Sequence, residues 1–377
     1  MSRTRVLMTN ANSDAGLSAA RSLVRAGYDV SSADVVDMPY GVKSRFISAH
    51  HILANGTADD YAASLLDVVD RIRPDVLLPL GAQSTLGSAV LRERLDAMTA
   101  LNVPDQNAIA VADDKFASMA SLEALGIACA QIHSYADAVT ALSGNPALTL
   151  VVKPRANVGA ARGVRYVNTR GELDDAIAAC RASYGDAVIQ EFVPGGPETM
   201  NTAVLLYSRE SRLVAAFTTM KKRQWPTTGG LTVVSRSTRD EAIVELVNPF
   251  FEHWKWRGPA EVEVKRDSRT GEQKVIEINP RFPAYFRFAD RCGLDLATIA
   301  VRLALKEDIA PLDYPSYRVG VTYMNPRLLM KSAGWHVRRT GVAEVPRIVT
   351  ELGAGFQCAV DMLRDPLPLL GRTLKGR

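Results

Sequence analysis

The chain has 377 residues, enough for two or three domains and a substantial core. Hydrophobic residues make up 47% and charged residues 23%, and 45 basic against 41 acidic side chains leave a net charge of only +4. So balanced a charge gives no argument for a nucleic-acid partner or a membrane surface, and with no apolar span near 20 residues no stable membrane insertion is expected. The four cysteines, Cys129, Cys180, Cys292 and Cys358, are scattered without metal spacing and read as free thiols in a reducing compartment. The start runs straight into a strand, RVLMT, with no apolar leader, so a cytoplasmic chain is expected.

Residues 1–112 alternate apolar strands with helical periods. Strands are expected at Arg5–Thr9, from Tyr28 to Asp34 and at Asp75–Leu80, with helices at Ala15–Ala26 and Ala58–Ile72. This alternation predicts a parallel sheet of Rossmann-like type. The first turn, from Thr9 to Gly16, sits where a dinucleotide fingerprint would be, and Asp34 lies at a ribose-like spacing. Only Gly16 of the required glycines is present, so a nicotinamide oxidoreductase or epimerase is the weaker alternative.

Asp114 reads as the cap of a helix running from Lys115 to Leu125, stopped by Gly126. Lys153 ends the apolar strand LTLVVK, where a compact charge suits a ligand phosphate better than a core. The loop RANVGAARG follows. Its Gly159 and Gly163 allow main-chain N–H groups to approach phosphate oxygens, although an ordinary hairpin turn would look the same. AVIQEFVPGGPE is an apolar strand, a Pro/Gly bend and then an acid, Glu198.

The run TTMKKRQWPTTGG places Lys221, Lys222 and Arg223 before a flexible turn. At least one cation is expected to meet a phosphate or a carboxylate, with Lys222 and Arg223 the choices, and Gly229 is expected to bring backbone close to a substrate.

The densest signal is EVEVKRDSRTGEQKVIEINPR, residues 261–281. Two alternating strands flank the turn DSRTG. Residues i and i+2 share a face, so Glu277 and Asn279 point one way while Ile276 and Ile278 enter a core. Pairing across the turn brings Glu263 beside Glu277. Such a face is either a solvated acidic edge or a site for a hard cation such as Mg2+ carrying phosphates. Beyond it, Arg287 and Arg291 share a helix face and suggest an anionic or aromatic partner. The tail 309–377 reads as a short strand, a helical pattern and a basic end.

VIEINPR after an acidic strand resembles the metal-binding end of the ATP-grasp ligases. Within that superfamily it is most similar to carboxylate–amine ligases related to the large-subunit halves of carbamoyl-phosphate synthetase. The resemblance covers most of residues 1 to about 305 and rests on the order Lys153, glycine loop, Glu191, Glu198, Glu263, Glu277-x-Asn279-x-Arg281. It implies an α/β and α+β multidomain chain: a Rossmann-like domain (1–112), a linker helix and lid (113–190), an ATP-grasp core with a metal site (191–308) and a C-terminal appendage (309–377). It further implies that Lys115, Lys153 and the loop at Gly159 meet the phosphates, and that Glu191 and Val193 read adenine through their backbone. Glu198 would bind the ribose. Glu263, Glu277 and Asn279 would hold Mg2+, with Mn2+ as an alternative, while Arg281 would serve catalysis with Lys222 and Arg223. The implied reaction joins a small carboxylate to an amine at the expense of ATP, in a monomer or a homodimer. A non-catalytic nucleotide-binding protein is the other alternative.

Overall fold

A computed structural model describes residues 3–35, 44–156, 162–226, 229–311, 316–340 and 345–353, apart from the side chains of residues 336 and 340. Three sheets organise them. The first is parallel, in the order β3-β2-β1-β4, built from β1 (Arg5–Thr9), β2 (Asp29–Asp34), β3 (Ala49–Ile52) and β4 (Val76–Leu78). Helix α1 (Asp14–Arg25) crosses from β1 to β2, and α2 (Ala58–Ile72) crosses from β3 to β4. Ser13 caps α1 by accepting from the N–H of Gly16, and Thr57 and Asp60 form a reciprocal capping box on α2. Helices α3 (Ala82–Val90), α4 (Arg92–Asp96) and α5 (Gln106–Asp113) lead out of this sheet.

Helix α6 (Lys115–Ala124) follows. The second sheet, β5-β8-β6-β7, is antiparallel and comprises β5 (Ile132–His133), β6 (Leu150–Pro154), β7 (Arg165–Val167) and β8 (Ala187–Glu191). Helices α7 (Tyr135–Gly144) and α8 (Arg170–Tyr184) cover one face of it, burying Leu142, Leu173 and Cys180 against Leu150, Val152 and Ile189.

The third sheet is antiparallel, in the order β13-β12-β9-β10-β11-β14. Its strands are β9 (Met200–Tyr207), β10 (Leu213–Trp225), β11 (Leu231–Thr238), β12 (Gly258–Arg266), β13 (Gln273–Asn279) and β14 (Thr322–Met324). On one side, α9 (Glu241–His253) buries Phe250 and Phe251 against Tyr207 and Trp256. Each such side chain, fully withdrawn from water, contributes about 1.5–3 kcal/mol. On the other side, α10 (Arg287–Cys292) and α11 (Leu296–Ala304) share one core with α1, β1, β9 and β10. Arg25 of α1 bonds both carboxylate oxygens of Asp290, which pins the first sheet's leading helix to the third sheet's layer. β14 pairs with β11, so the segment beyond residue 308 completes this sheet rather than standing apart from it. Helix α12 (Pro326–Thr340) and a further helical stretch, 345–353, close the described chain. Among the described residues no helix is long and apolar enough to cross a membrane.

Candidate active site

A cavity of about 270 Å³ is lined by residues of the second and third sheets and of the elements around them. Its base is the β12–β13 hairpin. In the observed register Glu261 stands opposite Asn279 and Glu263 opposite Glu277, and all four side chains line the cavity. Ile278 enters the core as expected. Ile276 instead lines the cavity, and its carbonyl accepts from Lys153 Nζ (3.2 Å) and Gln190 Nε2 (3.4 Å).

Lys115 is delivered by the start of α6. Asp114 caps that helix through Phe116 and Ala117, and its other carboxylate oxygen is held by Arg155 at 2.8 Å. The N–H of Lys115 donates to the Arg155 carbonyl, so the helix start is locked to the end of β6. From there the buried Lys115 Nζ lies 3.2 Å from Glu277 Oε1. Burial opposes ionisation of Glu277, yet Lys115 and Lys153 together hold its carboxyl below the usual carboxylate range. Lys153 is enclosed at the end of β6, and this burial pushes its ammonium down to about 8.

Arg281 Nη1 lies 2.9 Å from Glu261 Oε2, and its Nη2 donates to Asn279 Oδ1 at 3.1 Å. Tyr285 donates to the other oxygen of Glu261 at 3.3 Å. Burial, with Glu263 and Glu277 nearby, raises the Glu261 carboxyl to about 7 although Arg281 pulls the other way. Two polar links thus line the cavity, one from Lys115 to Glu277 and one from Asn279 through Arg281 and Glu261 to Tyr285. Among the described residues no three His, Cys, Asp or Glu side chains converge as a preformed cage for a metal. Two facing carboxylates and one amide oxygen still suit Mg2+, which binds through one or two carboxylates and takes its other ligands from phosphates and water.

At the other end of the cavity, Glu191 and Val193 line the wall beyond β8 together with Val151, Phe192 and Met200, an apolar slot with a few polar edges. The Glu191 carboxylate is held by Lys274 at 2.7 Å. Lys265 Nζ lies over the Phe192 ring, 5.1 Å from its centroid.

Not every expected residue arrives here. Gly159 falls outside the described residues. Glu198, exposed in the single turn Pro197–Thr199, does not line the cavity. Arg287 is buried with its guanidinium 5.8 Å from the centre of the Tyr323 ring, and neither it nor Arg291 lines the cavity. Gly229 does, at φ +66°, where an added Cβ would sit 2.4 Å from the Tyr166 hydroxyl.

The cationic run resolves differently from the expectation that named Lys222 and Arg223. Its lysine in the cavity is Lys221, buried and donating to the Gly230 carbonyl at 3.3 Å. Along β10 the register with β11 slips between Lys221 and Arg223, leaving Lys222 as an extra residue, and slips back between Arg223 and Gln224, where Val233 is the extra residue on β11. A bulge of this kind shifts the pleat by one position. Gln224 therefore joins Lys221 in the lining, and Arg223 is turned to Glu351, 2.8 Å away in the last helical stretch.

Six further residues lining the cavity were not expected from sequence. Glu261 and Lys265 flank Glu263 at the strand period, a signal that was available. Asp14 reaches the lining from the first turn of α1, and Tyr323, Asn325 and Leu328 reach it from the C-terminal segment. Asp34, the ribose residue of the nicotinamide alternative, is buried and accepts from the N–H of Ala11 at 3.2 Å, so its carboxylate holds the first turn together.

Residues 112–284 match the family model for the ATP-grasp domain. The chain carries an ATP-grasp domain. Within the curated proteins, the D-aspartate ligase of Enterococcus faecium (strain Aus0004) is 28% identical over 135 residues, 35% of this chain and 32% of that protein. The match thus spans about a third of that relative's length. Solved structures agree in fold over a wider span. An L-amino acid ligase from Bacillus licheniformis superposes with a TM-score of 0.65 at 17% identity, covering 85% of this chain and 79% of the other. The biotin carboxylase domain of the 2-oxoglutarate carboxylase of Hydrogenobacter thermophilus, solved with ADP, magnesium ADP and bicarbonate, gives 0.67 at 15% identity, with 85% and 73% covered. The ATP-grasp match ends at residue 284, whereas the cavity continues into Tyr285, Tyr323, Asn325 and Leu328.

Proposed function

We propose that this protein is an ATP-dependent carboxylate–amine ligase working through an acyl-phosphate. The observation that carries the reading is two polar links at the base of one cavity, Lys115 with Glu277 and Asn279 with Arg281, with Glu263 facing Glu277 and an apolar slot at the far end.

A carboxylate is a poor electrophile, because its charge repels nucleophiles and oxide does not leave. Transfer of the terminal phosphoryl group to a carboxylate oxygen breaks the bond to ADP and converts that oxygen into a leaving group. The amine nitrogen then attacks the acyl carbon, phosphate departs, and the nitrogen loses a proton. Adenine would fill the slot at Val151, Phe192, Val193 and Met200, with the backbone at Glu191 and Val193 beside it. Lys153 and Lys115 would neutralise phosphate oxygens. Glu263, Glu277 and Asn279 would hold Mg2+ brought with the nucleotide, which balances phosphate charge during transfer. Arg281, oriented by Glu261 and Asn279, would hold the carboxylate and then the acyl-phosphate.

The test is ADP release with Mg2+ and ATP against pools of carboxylates, each with and without amines. ADP that appears only with a particular carboxylate, and increases with an amine, is the expected result. Nucleotide binding without turnover in every pool would overturn the ligase reading.

A further inference from the structure

The acceptor end of the cavity is built by a part of the chain beyond the ATP-grasp match. From Arg281 the contacts run to Glu261 (2.9 Å), to Tyr285 (3.3 Å) and on to Tyr323, whose ring centroid lies 5.9 Å from that of Tyr285. Tyr323 belongs to β14, which lies against β11, the strand that begins with Leu231. Two residues on, Asn325 donates its N–H to the Val233 carbonyl (2.8 Å) and accepts from the N–H of Leu328 (3.2 Å). Asn325 thereby fixes the start of α12 and the place of Leu328. Tyr323, Asn325, Leu328 and Leu231 all line the cavity.

One contact ties α12 to the strand that supplies Lys221, and two tie the helical stretch 345–353 to the same strand. Trp225 of β10 meets Trp335 of α12 edge-to-face at 5.7 Å. Arg223 and Glu351 form a buried ion pair at 2.8 Å. Arg347 donates to the Lys222 carbonyl at 3.4 Å. The bulge that takes Arg223 out of the cavity is thus what lets it anchor the helical stretch 345–353.

We propose that Tyr323, Asn325 and Leu328 are the selectivity element of this enzyme, and that the carboxylate it activates carries an apolar, uncharged substituent. The inference rests on the ligase reading above. Leu231, Tyr285, Tyr323 and Leu328 offer a substituent aromatic and aliphatic surface. An acidic group placed among them would lose its hydration, and the buried Lys221 of the same cavity is already engaged by the Gly230 carbonyl at 3.3 Å. Asp14, which lines the same cavity, adds repulsion against a second anion.

The experiment measures kcat/KM for ADP release across 2-amino acids of both configurations with apolar, polar and acidic side chains, for the wild type and for Leu328→Ala, Leu328→Val and Leu328→Lys. The wild type is expected to favour apolar over acidic side chains. Shortening residue 328 should move the optimum to a bulkier side chain by about tenfold or more per group removed. Leu328→Lys should raise acidic over apolar acids. Met330→Ala, at a position 68% exposed on the same helix and outside the cavity, controls for damage to α12. Turnover with a wild-type preference for acidic side chains, or with selectivity unmoved by all three Leu328 variants, overturns this inference and leaves the ligase reading standing. Absence of ADP release with every carboxylate tried overturns both.

Discussion

Glu263 faces Glu277 across the β12–β13 register, and Lys115 reaches Glu277 at 3.2 Å from the first residue of a helix in another layer. One carboxylate therefore stands where, on the proposed reading, a cation-bearing phosphate chain would meet a fixed lysine. Glu277→Gln keeps the shape and removes the charge. ADP release should fall by about 100-fold to 1,000-fold, the cost of losing one preorganised electrostatic contact, while far-UV circular dichroism stays that of the wild type. A Glu277→Gln protein with normal Mg2+-dependent turnover would remove this residue from the metal site.

Lys153 gives the nucleotide end a pH dependence. Its burial, with Lys115 adding to the effect, pushes the ammonium down to about 8 against the opposing pull of Glu277 and Glu263. The nucleotide-free site thus loses a positive charge as pH rises through about 8, and affinity for ATP should weaken across that step. Lys153→Arg should abolish the step, since a guanidinium keeps its charge throughout. Fluorescence titrations at a series of pH values check this, and a flat wild-type profile through pH 8 would contradict it.

The Arg223–Glu351 pair has side chains only 4% and 11% exposed. Removing one partner of a buried pair costs about 3–5 kcal/mol because the other keeps its charge away from water. Glu351→Ala should lower Tm and open residues 345–353 to protease. Unchanged cleavage kinetics would mean the pair does not hold this helical stretch in place.

Asp34 predicts the pH slope of stability. Burial raises its carboxyl from an ordinary 3.8 to about 7, outweighing the N–H groups of Ala11 and Asn10 that favour the charge. Between about pH 4 and 7 the folded chain holds a proton that the unfolded chain has released, so stability falls as pH rises through that window. Asp34→Asn should flatten the slope and raise Tm at neutral pH. Chemical denaturation at several pH values reads both, and an unaltered slope would refute the assignment.

How far the site could be read from sequence depended on how local its cause was. The β12–β13 hairpin was legible because alternation, turn chemistry and the acidic face coincide within residues 261–281, and period two alone would also have supplied Glu261 and Lys265. The start of α6 was legible from Asp114 and Lys115 for the same reason. The choice among Lys221, Lys222 and Arg223 was not, because it turns on a one-residue slip between β10 and β11 that no composition announces. Tyr323, Asn325 and Leu328 carry no motif, and only the return of β14 to the sheet brings them to the cavity. The Rossmann-like alternation at the start was read correctly as a parallel sheet, but the use of Asp34 to brace its own turn depends on a contact with Ala11 that spacing does not specify.

The addition of β14 to the edge of the third sheet has a bearing on how such an enzyme diversifies. The half of the cavity that would take ATP falls within residues 112–284, while much of the half that would choose its partner lies after residue 284. On the proposed reading, substitutions after residue 320 would redirect the chemistry to a new acid without disturbing the fuel.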